Sequence, residues 1–324
     1  MSGKTGWAIA AVLLLGGIPL FISNPYFLHV LIMIFLYGAI SGAWNIIGGY
    51  AGQFSLGHAA FFGIGAYTST LLFLKFGVTP WLGMVAGGIL SAFVSILIFY
   101  PCFKLKGIFF ALATLAFGEV IMQVSIYWRG LTRGSLGLMI PFRPSFYNLM
   151  FEGKLGYYYI TLIFLLGIIF ISYSIEQSKI GFYLKAIKDD EDAAEAMAID
   201  TAKCKLMALL ISSFFTSVGG SIYAQYITLI EPEVAFSLFG ISIQIAIMSI
   251  IGGIGTFLGP AFGAFVLVPL GEFIRDLLGG KTPGIHAMIY GIMVILIVIL
   301  LPKGVMRWIS DLVQKKPKGA PAKG

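Results

Sequence analysis

Charged residues are concentrated in one segment, residues 176–205, which we call the charged segment (EQSKIGFYLKAIKDDEDAAEAMAIDTAKCK). Its seven acids and five lysines are too many for a stretch of chain that crosses lipid. Within it, the run DDEDAAEAMA predicts a short helix whose acidic first turn complements the helix dipole. Ala194, Met197 and Ala198 have helical spacing and predict a small apolar stripe, which suits docking into a groove of another protein. A solvated loop with a surface helix is the alternative interpretation.

Glu119 is the second candidate for chemistry, because it lies deep within an apolar run that begins after Lys106. The rise of ~1.5 Å per helical residue places it near the middle of a bilayer. An ionisable group there costs roughly 2.5–3.5 kcal/mol to insert, so it usually faces protein or water. Gln123 follows one turn later on the same face. The pair is either part of a translocation path or gate, or a buried Glu that bonds to a neighbouring helix.

A third polar group surrounds the glycine-rich stretch 48–65 and consists of Asn45, Gln53, Ser55 and His58. Glycine clustered with polar residues indicates an interrupted helix whose freed backbone groups face a cavity. These four residues are therefore candidates for lining a substrate path, although a lone His more often has a packing role. No catalytic triad, metal cluster or cofactor site is predicted, since no suitable partner lies near His58 in the sequence.

The elements that hold these residues are apolar helices. Apolar residue types make up 59% of the chain and charged types 11%, with a mean hydropathy of +0.96, whereas soluble domains carry about 25% charged residues. The fold class is therefore an all-α integral membrane protein with about eight to ten spans, some of them interrupted at glycines. The predicted spans are 7–22, 27–47, 56–74, 81–100, 107–127, 156–174, 205–226, 237–251, 257–274 and 285–301.

Lys and Arg residues predict the orientation. The tail after Leu301 is rich in lysine and is expected to be cytoplasmic, and counting spans backwards places the charged segment on the same side. Residues 129–155 are also basic, yet the count places them outside. We expect one transmembrane domain over 1–310 and a disordered basic tail over 311–324. Since the bases flank spans rather than form a stripe, nucleic-acid binding is not expected.

Three stretches together resemble the branched-chain amino-acid ABC permease family, most closely its LivM-type subunit: YAGQFSLGHAAFFGIGAY, LATLAFGEVI and KAIKDDEDAAEAMAID. The resemblance implies an importer in a bacterial inner membrane with a second, LivH-type permease, two cytoplasmic ATPases and an external or periplasmic solute-binding protein. It also implies that the charged segment holds a cytoplasmic coupling helix. The residues expected to couple to the ATPases are Lys185, Asp189, Asp190, Ala193, Ala194, Glu195, Met197 and Ala198. Ala198 stands where the family pattern has Gly, and an Ala there is expected to preserve the helix.

Two alternatives to this importer stay open, namely a permease for urea or short amides and a self-sufficient secondary transporter or channel. The chain itself is not expected to be an enzyme. Residues 279–282 (GGKT) end like a phosphate-binding loop, but the required leading glycine is replaced by Arg275. ATP hydrolysis is therefore assigned to separate partner subunits.

Overall fold

The computed structural model describes residues 14–19, 24–102, 105, 107–278, 284–300 and 304–306, and gives an almost entirely helical chain. The main helices are α1 (Pro25–Asn45), α2 (His58–Phe76), α3 (Pro80–Cys102), α4 (Ile108–Tyr127), α5 (Lys154–Gln177), α6 (Lys179–Asp189), α7 (Glu191–Ala196), α8 (Thr201–Ile227), α9 (Gln244–Gly253), α10 (Gly259–Leu278) and α11 (Ile285–Leu300). Turns of π-helix extend α1 over Ile46–Tyr50 and precede α9 over Leu238–Ile243. Short helical turns occupy Arg129–Thr132, Gly134–Leu136 and Pro232–Ala235.

Seven described segments are long and apolar enough to cross a membrane, which confirms the all-α membrane fold. They are Pro25–Tyr50, His58–Phe76, Pro80–Cys102, Ile108–Tyr127, Lys154–Gln177, Thr201–Ile227 and Pro232–Gly253. The predicted spans 257–274 and 285–301 correspond to α10 and α11, of which α10 carries charged residues near its end. Most of the predicted span 7–22, the GGKT motif and the basic tail lie outside the described residues.

Helix α1 is the centre of the bundle. Its apolar residues are buried nearly all round, because α5, α8, α9 and α10 pack against different faces of it. The helix starts sharply, since Pro25 occupies the first turn and the Asn24 side chain accepts a hydrogen bond from the Tyr26 amide at 2.9 Å. Such a buried central helix provides a rigid support for the elements at both of its ends.

Helices α2, α3 and α8 are joined by small residues. The Ser221 hydroxyl donates to the Gly65 carbonyl at 2.9 Å, and a Cβ on Gly65 would lie only 2.0 Å from the Ser217 carbonyl oxygen. Gly220 approaches the Phe62 carbonyl just as closely. Glycine at helical spacing lets transmembrane backbones come together where lipid provides no hydrophobic drive. These close contacts, which we call the seam of small residues, fix α8 against α2.

Opposite ends of the bundle carry different polar structures. At one end the Lys188 ammonium donates to the Gly49 carbonyl at 2.9 Å, so the charged segment lies against the end of α1. At the other end the Lys154 ammonium donates to the Pro25 carbonyl at 2.9 Å. Residues 128–153, which we call the cap, lie at this second end, where strand β1 (Leu138–Met139) pairs antiparallel with β2 (Leu229–Ile230). The structure therefore agrees with the span count that separates the cap from the charged segment.

Candidate functional site

The charged segment folds as two helices that turn one face inward. In α6, Leu184 and Ile187 are buried in an apolar cluster that also contains Ile46 and Phe99, and Ala194 of α7 belongs to the same cluster. The Asp190 side chain caps α7 by accepting from the Ala193 amide at 3.0 Å, and Glu191 and Asp192 occupy the first turn, as the sequence predicts. The segment is thus a folded part of the bundle and not a solvated loop.

Helix α7 ends earlier than expected, and the prediction that Ala198 preserves the helix is wrong. The Ala198 amide donates to the Glu195 carbonyl at 2.9 Å, and the Ile199 amide donates to the Ala194 carbonyl at 3.1 Å. This pair of bonds is a Schellman motif, in which the residue at the position of Ala198 is left-handed and usually glycine. Ala198 has φ +61° and therefore keeps the turn despite its Cβ.

Replacing Ala198 with Gly should stabilise this turn. A left-handed residue with a Cβ is disfavoured by about 1–2 kcal/mol, of which the greater freedom of unfolded glycine returns part, so we expect a net gain of about 1 kcal/mol. The measurement is hydrogen exchange at the backbone amides of residues 193–199, which should be slower in Ala198→Gly than in the wild type. The matched control is Ala196→Gly inside α7, which should speed exchange, and equal behaviour of the two variants would contradict the assignment.

The predicted apolar stripe of Ala194, Met197 and Ala198 does not form. Ala194 points inward and is buried in the apolar cluster described above, whereas Met197 is 71% exposed. Lys185 forms an ion pair with Glu176 at 2.9 Å. The residues that the segment presents outward are Asp189, Asp190, Ala193, Glu195, Met197 and Ala198. The exposed surface of α7 and of the turn after it is therefore acidic, with Met197 as its large apolar side chain.

One ion pair, one hydroxyl bond and one bond from an ammonium to a backbone carbonyl tie the segment to the spans. The Lys205 ammonium in the first turns of α8 lies 2.5 Å from the Glu191 carboxylate, and the Lys205 side chain is only 2% exposed. Glu195 accepts from the Thr201 hydroxyl at 2.7 Å, and Lys188 reaches Gly49 as described above. Sequence reasoning listed Lys205 and Glu191 only among the charges of the segment, because nothing in the pattern shows which lysine turns inward.

The glycine-rich stretch 48–65 meets a second glycine-rich stretch, residues 252–263 (GGIGTFLGPAFG), beneath the charged segment. The Asn45 side chain accepts from the Gly255 amide at 2.9 Å and donates to the Thr256 carbonyl at 2.9 Å. A Cβ on Gly49 would lie 2.7 Å from the Gly255 nitrogen. Asn45 is fully buried, so the structure places it in a joint between two helix breaks and not beside Ser55 and His58. We call this contact of Gly49, Asn45 and Gly255 the glycine joint.

Ser55 and His58 come together at the break between α1 and α2. The His58 ring nitrogens lie 3.0 Å from the Ser55 hydroxyl and 2.7 Å from the Ser212 hydroxyl. His58 is fully buried and begins α2 beside Ser212, which lies about 16 Å into α8 by the rise per residue. The freed amides at this helix start are satisfied by hydroxyls, because Ala59 donates to Ser242 at 2.8 Å. Helix α2 therefore starts in the middle of the bundle, with polar groups around it.

Gln53 is 7% exposed, and its backbone N–H donates to the Ile47 carbonyl at 3.1 Å. The hydrogen-bond partners of the His58 ring among the described residues are the hydroxyls of Ser55 and Ser212, and all three side chains are buried. Within the part of the chain that the structure describes, no three His, Cys, Asp or Glu side chains are close enough to hold a metal ion.

Glu119 and Gln123 point away from this buried group. The Gln123 amide donates to the Glu119 carboxylate at 2.9 Å, and both residues are exposed on the outer face of α4. The opposite face of α4 packs on the helix break, since Thr114 accepts from the Leu56 amide at 3.0 Å. An exposed carboxylate halfway along an apolar span needs a protein or aqueous neighbour. The outer face of α4 is thus a surface that needs a partner or water at Glu119.

Comparisons with known proteins agree with this architecture. Residues 26–298 match the family described as branched-chain amino acid transport system / permease component. The high-affinity branched-chain amino acid transport system permease protein LivM of Salmonella typhimurium is 26% identical over 90% of this chain and 72% of its own. LivM of Escherichia coli is 27% identical over 86% and 69%. The guanosine ABC transporter permease protein NupQ of Bacillus subtilis is 28% identical over 51% and 56%. No solved structure matches the chain.

Proposed function

The chain belongs to the family of branched-chain amino acid transport system permease components, and on that premise we propose that it is the LivM-type subunit of an importer for branched-chain amino acids. It is a multi-pass membrane permease. The proposed partners are a LivH-type permease, two ATPases and an external or periplasmic solute-binding protein. In this proposal the charged segment and the tail are cytoplasmic, the membrane is the bacterial inner membrane, and the ATPases supply all hydrolysis, so the chain needs no cofactor.

One observation supports this function most strongly: the charged segment is acidic outside and bonded to the spans inside. Its outer surface offers carboxylates, Ala193 and the exposed Met197 side chain to a partner. Its inner surface holds α8 through Glu191 and Lys205, and the end of α1 through Lys188. A force applied by an ATPase to the outer surface would therefore reach two central helices at once.

The proposed motion follows these bonds. A shift of α6 pulls the Gly49 carbonyl through Lys188, and the glycine joint passes the shift to the break before α10. A shift of α7 moves α8 through the buried ion pair, and α8 carries α2 with it along the seam of small residues. Because α2 begins in the middle of the bundle, its displacement changes access at mid-membrane.

The path itself is proposed to run along the outer face of α4, against the second permease. An open cavity of about 1070 Å³ beside the outer end of α4 is lined by Gln123, Tyr127, Trp128 and Arg129 among others. The Gln123 side chain in its lining also donates to the Glu119 carboxylate. Gln53, Ser55 and His58 support the path from behind, because they are buried.

Glu119→Gln should lower leucine uptake at least tenfold at normal membrane abundance, since a mid-membrane carboxylate that faces the path is lost. Uptake of radiolabelled leucine by the assembled importer measures the effect. The matched control is the double variant Glu119→Gln with Gln123→Glu, in which the carboxylate lies one turn further along α4. We expect the double variant to retain more uptake than Glu119→Gln alone. Unchanged uptake by Glu119→Gln would remove Glu119 from the path.

Reconstitution tests the proposed function as a whole. Proteoliposomes with this chain, the second permease, the ATPases and the solute-binding protein should accumulate leucine only when ATP is enclosed on the ATPase side. Urea, short amides and guanosine are assayed in parallel, because one relative is a guanosine permease. Uptake by this chain alone, driven by an ion gradient, would overturn the proposal in favour of a secondary transporter.

A further inference from the structure

The π-helical turn over Leu238–Ile243 presents a large apolar side chain on the outside of the bundle. Phe239 is 77% exposed, and Gly240 beside it is exposed as well. The start of the turn is fixed, because the Ser237 hydroxyl accepts from the Gly240 backbone N–H at 2.9 Å. A single turn of π-helix joined to an α-helix frequently marks a functional site. The exposed ring of Phe239 is therefore a candidate for contact with a transported solute.

Phe239 and Glu119 lie at similar depths in the membrane. The residue before Glu119 is a glycine, and a Cβ on it would lie 3.6 Å from the Gly57 Cα. The Ala59 backbone N–H, two residues after this contact, donates to the Ser242 hydroxyl at 2.8 Å. Phe239 precedes Ser242 by three residues on the way down from strand β2. At ~1.5 Å per helical residue, the two depths agree to within about one helical turn.

The exposed ring and the exposed carboxylate also border the same flank of α4. Phe117 packs against an apolar cluster that contains Phe99 of α3, so α3 covers one flank. Glu119 follows two residues later and lies about 200° around the helix axis from Phe117. Met122, about 60° from Glu119, packs against a cluster that contains Phe236, directly before the π-helical turn. The turn itself contacts α4, and it therefore lies on the flank of Glu119.

Lipid does not account for this flank, because a carboxylate at mid-membrane faces protein or water. A carboxylate beside an aromatic ring matches one chemical class of solute, namely a small molecule with an ammonium group and an aliphatic side chain. The carboxylate forms charge-assisted hydrogen bonds with the ammonium, and the ring removes the aliphatic side chain from water. Urea and guanosine lack this combination of groups.

We propose that Glu119 and Phe239 form a binding site for a branched-chain amino acid within the translocation path. The Glu119 carboxylate holds the ammonium group of the solute, and the Phe239 ring contacts its aliphatic side chain. The proposal rests on the proposed function and adds a residue that determines specificity inside the membrane. A shift of α2 also reaches this site, because the π-helical turn is bonded to the start of α2 through Ser242 and Ala59.

The first test compares leucine with valine, which is one methylene shorter, in proteoliposomes that hold the assembled importer and ATP. Phe239→Ala is expected to lower the ratio of leucine uptake to valine uptake more than about threefold, because the ring contacts more of the longer side chain. Phe239→Leu keeps an apolar contact and should retain most of the ratio. Phe170→Ala is the matched control, since Phe170 is 69% exposed on α5, and it should leave the ratio unchanged. Both uptakes are measured on the same preparation, so the ratio does not depend on protein abundance.

The second test measures whether position 239 meets water. In a background where Cys102 and Cys204 are replaced by Ala, Phe239→Cys should react with a trimethylammonium methanethiosulfonate during ATP-driven uptake. The reaction should be at least about tenfold faster than that of Phe170→Cys, because the reactive thiolate forms in a water-lined path and not against lipid.

The outcomes separate this site from the proposed function. No leucine uptake by the wild-type importer, although its ATPases are active, would overturn the proposed function. Uptake by the wild type with an unchanged leucine-to-valine ratio in Phe239→Ala would overturn the site alone. A reaction of Phe239→Cys as slow as that of Phe170→Cys would place the ring against lipid or the second permease and would also overturn it.

Discussion

Replacing Lys205 with Met is expected to destabilise the protein by about 3–5 kcal/mol, because it leaves the Glu191 carboxylate without its partner in a largely buried place. Lys205 is 2% exposed and Glu191 16% exposed, so water screens neither charge well. The pair also joins α7 to α8, and the variant should therefore lose uptake as well as stability. Titration with sodium dodecyl sulfate from mild detergent, followed by tryptophan fluorescence, measures the free-energy difference.

Lys203→Met is the matched control for this experiment. It makes the same change two residues earlier in α8, where the lysine is exposed, and should alter the free energy of unfolding by less than about 0.5 kcal/mol. The double variant Lys205→Met with Glu191→Gln removes both charges and should recover much of the lost stability. Equal stability of the Lys203 and Lys205 variants would show that the ion pair is not buried.

Gly65→Ala is expected to be the second large effect, with a loss of at least about 1–3 kcal/mol. The added methyl group would lie 2.0 Å from the Ser217 carbonyl oxygen and 2.5 Å from its hydroxyl, so α2 and α8 must separate. Because α2 starts at mid-membrane and α8 receives the force from α7, uptake should fall further than stability alone accounts for. The ratio of uptake to folded protein in the membrane measures this second part.

Gly167→Ala in α5 provides the control for a glycine in a helix. No atom lies within 4 Å of a Cβ built there, so the alanine should stabilise the helix by up to about 1 kcal/mol. If Gly65→Ala behaved like Gly167→Ala, the close packing of α2 on α8 would be refuted.

The apolar runs made most of the fold predictable, because lipid forces backbone groups to bond within helices. The run 107–127 and helix Ile108–Tyr127 nearly coincide for this reason. The basic composition of the cap made the orientation of 129–155 ambiguous. The contact of Lys154 with Pro25, 129 positions apart, places the cap at the end of the bundle opposite the charged segment, and no local pattern contains it.

The polar residues show where sequence reasoning fails. It grouped Asn45 with Ser55 and His58 because they are neighbours in the chain, yet Asn45 binds Gly255 and Thr256, 210 and 211 residues away. It also treated Ala198 as a helix former, which follows from its intrinsic propensity. The Schellman bonds of Ala198 and Ile199 override that propensity.

In the proposed function, a separate ATPase binds the outer surface of the charged segment. Single cysteines at Asp189, Ala193 and Met197, each exposed, test it in a background where the buried Cys102 and Cys204 are replaced by Ala. A short bismaleimide should link each of the three to a cysteine-bearing ATPase in the assembled importer. It should link neither Ala194→Cys, which is buried, nor Arg133→Cys in the cap. No crosslink from any of the three exposed positions, in a complex that hydrolyses ATP, would contradict the claim.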